Sequence, residues 1–208
     1  MKGKFITLEG GEGAGKSTQA QIICEMLRNK KIDYIKTREP GGTTISEKIR
    51  GIVLDSKNGN MSLDTEILLF SASRSQLIDE VILPSLNEGK IVICDRYVDS
   101  SIVYQGLANE NGNMEKVKKA NFHAFDSCMP DLTLYFDIDP IDAFKRKNGA
   151  DENDRIEMKG LEYHKKVRQG FLTLAELYPE RIKVIDASKT IDEVTEQIFD
   201  NLKSIIGI

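Results

Sequence analysis

The fold class this sequence predicts is α/β: a three-layer sandwich with a five-stranded parallel sheet and helices on both faces. Three observations predict it. Five short β-branched runs alternate with stretches of helical periodicity. Several of those runs are apolar throughout, as parallel strands covered on both faces must be. The first run passes straight into a glycine-rich turn and then into a helical pattern. The 208 residues suit one domain spanning 1–208.

Taken in order, the strands are expected at Phe5–Glu9, Tyr34–Thr37, Ile91–Cys94, Leu132–Phe136 and Lys183–Ile185. After the first strand, Ala20, Ile23, Cys24 and Leu27 repeat on one face of a 3.6-residue period. A long helix is predicted from about Leu63 to Leu83, ending near Pro84 and Gly89. Asp139-Pro140 reads as an N-cap followed by proline at the first helical position. The last helix carries Ile191, Val194, Ile198, Leu202 and Ile205 on one side. Lys145 to Gly160 breaks the pattern, being highly charged and nearly free of apolar residues. It fits either a solvated surface loop or a mobile lid that keeps water from a transferred group.

Composition narrows the classes. A net charge of −4 gives no bulk reason to expect nucleic-acid binding. No apolar run reaches the length of a membrane span, and Met1-Lys2-Gly3-Lys4 leads into a strand rather than a signal stretch. Cys24, Cys94 and Cys128 are far apart, without CxxC or metal-ligand spacing, which suits a reducing cytoplasm. His123 and His164 have no partner pattern and read as structural or surface residues.

The chemistry is expected at the carboxyl ends of the strands. Gly10-Gly11-Glu12-Gly13-Ala14-Gly15-Lys16-Ser17 fits G-x-x-x-x-G-K-[ST], a phosphate-binding loop between strand and helix. Its backbone N–H groups and the helix N-terminus would face phosphate oxygens. Lys16 would reach the β- and γ-phosphates, and the Ser17 hydroxyl would ligate Mg2+. The fold is then of the P-loop NTPase type. Asp95-Arg96 closes a buried strand, where the carboxylate can serve the metal and the guanidinium can neutralise phosphate. Arg38-Glu39-Pro40-Gly41-Gly42-Thr43 makes a tight turn with an arginine at the same mouth. Phe70 and Arg74, four apart on a predicted helix, share a face that could stack a base and donate to its carbonyl, or belong to the core.

Four blocks in order resemble the thymidylate kinase family, bacterial type, over nearly the whole chain. They are Leu8 to Thr18, Thr37 to Thr43, Phe70-Ser71-Ala72-Ser73-Arg74, and Asp95-Arg96-Tyr97-Val98-Asp99-Ser100-Ser101-Ile102-Val103-Tyr104-Gln105. Asp154-Arg155-Ile156-Glu157 is similar to the family's lid signature, and Asp186-Ala187-Ser188 to the turn near adenine.

The resemblance implies ATP-dependent phosphorylation of dTMP to dTDP with Mg2+, a step in dTTP synthesis, by a cytoplasmic homodimer. It assigns Gly10 to Thr18 to the ATP phosphates and Asp95 to the metal. Glu12 would position the nucleoside 3′-hydroxyl and the metal's surroundings. Arg50 and Arg96 would bind the acceptor phosphate, with Arg38 and Pro40 at its entry. Phe70 would stack on thymine, Arg74 would donate to O4, Tyr104 would exclude a ribose 2′-hydroxyl, and Ser100, Ser101 and Gln105 would complete the dTMP site. A donor-only arginine opposite cytosine's amino group leaves a buried donor unpaired, at about 1–3 kcal/mol.

Some members of the family carry a catalytic arginine where this chain has Gly13. Others use lid residues, and here Asn148 and Ala150 stand where related lids have arginine. Arg155 is therefore the first candidate for the transferred phosphoryl, and Arg146 the candidate for stacking on adenine. The competing readings are a kinase for another nucleotide, a nucleotide switch or motor, and an inactive binder. The absence of N-K-x-D argues against the second; Lys16, Ser17, Asp95 and Arg96 argue against the third.

Overall fold

The structure is a computed structural model and describes residues 3–147 and 154–207. The strands are β1 Lys4–Gly10, β2 Tyr34–Arg38, β3 Ile91–Asp95, β4 Leu132–Asp137 and β5 Ile182–Asp186. They form one sheet in the order β2-β3-β1-β4-β5, every neighbouring pair parallel. The register sets Leu8 and Arg38 beside Asp95, and Asp137 beside Asp186, so the polar strand ends gather on one edge.

Strand alternation makes the layers. Ile6, Leu8, Ile91, Ile93, Leu132 and Leu134 pack against Ala20, Ile23 and Leu27 of α1 (Lys16–Asn29) and Val194, Ile198 and Leu202 of α10 (Ile191–Ile206). Ile191, expected on the same side of α10, is exposed. On the other face, Phe5, Val92 and Cys94 meet Leu77, Ile78, Ile82 and Tyr97. Tyr135 and Ile182 there pack with Phe171 and Leu174 of α9 (Leu161–Leu177).

The long helix ends at Asn87, between Pro84 and Gly89 as expected, but it is not regular throughout. Regular α3 (Leu63–Leu77) widens into a π-helical turn at Ile78–Ile82 and continues as α4 (Leu83–Asn87), through Pro84. In a regular helix the proline ring would crowd the carbonyl four residues back. The Leu83 N–H instead reaches the carbonyl of Ile78, five back, which opens the turn just before the proline.

A second helical layer surrounds the site. It comprises α2 (Thr44–Leu54), α5 (Val98–Ser101) leading into a π-helical turn at Ile102–Leu107, α6 (Met114–Ala120), α7 (Phe122–Ser127) and α8 (Pro140–Lys147). Asp139 caps α8 as expected, its Oδ1 accepting from the Ile141 N–H at 2.8 Å. Only the two ends of the expected lid are described. Residues 148–153, with Asn148 and Ala150, lie outside the described residues.

Candidate active site

The phosphate loop begins where β1 ends. Gly15, at φ 89°, is the left-handed N-cap of α1, a conformation that glycine adopts at no steric cost. Gly13 is also left-handed, and a Cβ there would lie 2.2 Å from the carbonyl oxygen of Ala143 in α8. The space beside Gly13 is thus filled by backbone. Lys16 is buried and donates to the carbonyl oxygens of Gly10 (3.1 Å) and Gly11 (2.7 Å). Burial, then the nearby Arg96, pushes its ammonium below the ordinary lysine range. A cavity of about 500 Å3 opens over the loop, from Glu12 through Thr18 across to Arg38, Arg50 and Asp95.

Arg96 has φ 68°, a strained conformation for a residue with a Cβ. A buried carboxylate beneath it holds the segment. Glu9 Oε1 accepts from the N–H groups of Tyr97 (2.8 Å) and Ser100 (3.2 Å), and Oε2 lies 2.5 Å from the Ser100 hydroxyl. Burial, then Asp99 beside it, pushes Glu9 up to about 8. The Arg96 side chain so aimed donates to Glu12 at 2.5 Å, and to Tyr104 (3.3 Å) and Ser100 (3.4 Å) more loosely. Arg96 holds Glu12 well below the usual carboxylate range. From α2, Arg50 donates to the Pro40 carbonyl at 2.9 Å, and Arg38 reaches the same oxygen at 3.1 Å. Thr43 caps α2 through the Ser46 N–H, and the Ser46 hydroxyl bonds the Ser73 carbonyl, locking α2 to α3.

A second, tighter cavity of about 80 Å3 adjoins the first. Phe70 and Arg74 face it from α3; Ser100, Ser101, Tyr104 and Gln105 face it from α5 and the π-helical turn. Arg74 is 2% exposed; its two terminal nitrogens are engaged with protein, while Nε is buried with no hydrogen-bond partner among the described residues. It pairs with Glu39 at 2.5 Å, donates to Ser101 (3.0 Å) and Asn121 (2.5 Å), and lies over the Tyr97 ring. Burial pushes Glu39 up to about 7 in spite of Arg74.

Three comparisons bear on this arrangement. A thymidylate kinase family model matches residues 8–198. The chain belongs to the thymidylate kinase family. It is similar to the thymidylate kinase of Clostridium novyi, 48% identical over 97% of this chain and 99% of that one. It is also similar to that of Ligilactobacillus salivarius, 47% identical over 99% and 100%. A crystal structure of thymidylate kinase from Ehrlichia chaffeensis superposes with a TM-score of 0.78 at 31% identity, covering 98% of this chain and 99% of that one. The chain is therefore an enzyme of the nucleoside monophosphate kinase class, on the P-loop fold that the sequence predicts.

In this kinase the expected turn, helix and strand-end residues and the loop from Glu12 to Thr18 line the two cavities; Gly10, Gly11 and Arg155 do not. Arg155, expected at the transferred phosphoryl, is turned into the protein. It pairs with Glu66 at 2.6 Å and donates to the Val53 carbonyl at 3.0 Å. The backbone around it pairs with the end of α2, Arg155 N–H to Leu54 O at 2.9 Å, which fixes that direction. The basic side chains that reach the phosphate cavity from the lid are Arg146 and Lys147. Arg146 donates to the carbonyls of Ala187 (2.7 Å) and Ser188 (3.0 Å), and Lys147 pairs with Glu157.

Sequence reasoning missed the carboxylates that hold this machinery, Glu9, Glu39 and Glu66. His164, read as structural or surface, is a buried structural residue at the wall of the tighter cavity, Nε2 3.1 Å from the Glu157 carbonyl. The available signal for Glu9 was a glutamate closing an apolar strand.

No cluster of three or more His, Cys, Asp or Glu among the described residues could cage a metal. The residues fit Mg2+ in another way. Asp95 Oδ1 is buried with no hydrogen-bond partner among the described residues, and Asp95 and Ser17 line the same cavity. One or two protein oxygens completed by phosphates and water is the usual Mg2+ site.

Proposed function

We propose that the chain transfers the γ-phosphoryl of ATP to dTMP, giving dTDP and ADP, with ATP over the phosphate loop and dTMP in the tighter cavity. The observation that carries this placement is the junction at Arg96. Its guanidinium lies between Glu12 of the loop and Tyr104 of the second cavity, where two phosphates would meet. An oxygen of the acceptor phosphate forms a bond to the γ-phosphorus while the bond to the β,γ-bridging oxygen breaks, in line, and ADP leaves with that electron pair. Lys16, Arg96 and the lid's Lys147 hold the charge that develops. Ser17 and Asp95 would hold Mg2+, which neutralises the phosphate oxygens when bound. Arg38 and Arg50 bind the acceptor phosphate. Phe70 stacks on the base, Arg74 donates to its carbonyl, and Tyr104 packs under the sugar. Arg146 lies beside the Ala187–Ser188 turn on the adenine side.

Two further readings belong to the proposal. Ile45 and Ile52, seven apart on α2, and Leu68 on α3 are about half exposed or more, apolar surface that a second copy would cover. Sedimentation at the dimer mass supports that arrangement, and a monomer mass removes it. The three buried free thiols suit the cytoplasm, and no helix among the described residues is long and apolar enough to cross a membrane.

The test of the reaction is ADP release from Mg-ATP with each nucleoside monophosphate supplied in turn. Strong stimulation by dTMP, weaker by dUMP and none by the ribonucleotides is expected. Stimulation by another acceptor would overturn the roles of Phe70, Arg74 and Tyr104; equal release without acceptor would indicate a hydrolase.

A further inference from the structure

We propose that Glu66 is a positioning residue for base specificity: it decides which end of the Gln105 amide a base meets. The inference rests on the reading that the base sits in the tighter cavity. Glu66 lies one turn before Phe70 and two turns before Arg74 on the same face of α3, yet it does not line the cavity. It is 2% exposed, and its Oε1 accepts from Gln105 Nε2 at 2.7 Å. Arg155 pairs with its other oxygen at 2.6 Å, and Lys159 stands 3.7 Å from Oε1.

The two ends of a glutamine amide are nearly equal in size and opposite in hydrogen-bonding sense. Geometry alone therefore leaves Gln105 free to turn either way. A carboxylate paired with two cations removes that freedom, because it only accepts. The NH2 end must face Glu66. Oε1 is then left without a hydrogen-bond partner among the described residues, on a side chain that lines the cavity. Gln105 offers the base an acceptor.

An acceptor there selects a base. The thymine ring presents N3–H beside the O4 carbonyl; cytosine presents a bare N3 lone pair beside an amino group. Gln105 Oε1 and the donor-only Arg74 together complement the first edge and oppose both groups of the second. Uracil shares the thymine edge, so this pair separates thymine from cytosine and leaves the methyl group to packing. Glu66 therefore acts on specificity without touching the substrate, and through Arg155 the same carboxylate is tied to the segment that follows residues 148–153.

The experiment compares kcat/KM for dTMP and dCMP in the full chain with Glu66→Gln and Gln105→Leu, each checked for cooperative unfolding. Glutamine at 66 can present either an oxygen or an NH2, so both orientations of Gln105 become acceptable. The dTMP-to-dCMP ratio should fall by about tenfold or more in Glu66→Gln, mostly through KM for dTMP rather than kcat. Purely structural damage would lower both acceptors alike and leave the ratio unchanged, which would overturn the proposal. A ratio that falls in Gln105→Leu but not in Glu66→Gln removes Glu66 alone; a ratio unmoved in both removes the placement of the base as well. Glu66→Asp keeps the charge against Arg155 and Lys159 while withdrawing the oxygen from Gln105, and should lower the ratio in the same direction. If these variants do not fold, neutron diffraction of the unaltered protein with dTMP decides. Amide deuterons of Gln105 directed at Glu66 support the proposal, and deuterons directed at the base overturn it.

Discussion

The two cavities that meet at Arg96 are built on opposite rules. The base side is tight, and its lining holds three basic side chains against four acidic ones. Its central cation, Arg74, is already paired with Glu39, Ser101 and Asn121. The phosphate side is open, and its lining holds six basic side chains against three acidic ones. There Lys16 is met by two backbone carbonyls rather than by a carboxylate. Under the proposed placement, the difference follows from what each side would bind. A neutral base is recognised by groups held in one orientation, so their charges are neutralised from within the protein. Phosphates bring their own negative charge, so the excess of cations is completed by the ligand.

Three predictions sharpen that comparison, the largest first. Arg74→Met leaves Glu39 buried without its partner and should destabilise the fold by about 3–5 kcal/mol in denaturant unfolding. A variant as stable as the parent would mean that the base side is not internally neutralised. Lys16→Ala should do the reverse, lowering turnover by about 10²–10³-fold while the melting temperature barely moves. Unchanged turnover would take away the role given to Lys16.

The smallest effect is in the dependence of stability on pH. Glu9 in the folded chain is pushed to about 8, against 4.5 ordinarily, and Glu39 to about 7. Between those limits the folded chain keeps protons that the unfolded chain releases. Stability should therefore fall as pH rises from about 4.5 through 8. Glu9→Gln keeps a neutral side chain that still accepts from the Tyr97 and Ser100 N–H groups, and should flatten the upper part of that fall. An unaltered slope of melting temperature against pH would show Glu9 to be ionised throughout.

Most of the phosphate side was legible in the sequence. Its parts are local: a glycine loop between a strand and a helix, an Asp-Arg pair closing a buried strand, a Pro-Gly-Gly turn. Contiguous residues make each, and a parallel sheet brings the strand ends together whatever the packing above them. The helix end between Pro84 and Gly89 was legible, but the π-helical turn before Pro84 was not, because it leaves no mark in apolar periodicity. Arg155 departs from its expected direction for a different reason. Its charge and its place in the lid signature pointed it toward phosphate, while the partner that claims it, Glu66, lies far away in sequence on α3.

The sequence by itself determined the α/β class, the five strands, the phosphate loop and the family. Those depend on short-range spacing and on the alternation of apolar residues, which a single chain displays in order. Only the tertiary structure decided which cations are free and which are committed. Arg74 is held by Glu39, Arg155 by Glu66, Arg96 by Glu12, and Gln105 is turned by Glu66. Each of these is a pairing between distant segments. The cost of burying a charge makes such a partner necessary, but nothing in the local sequence names it.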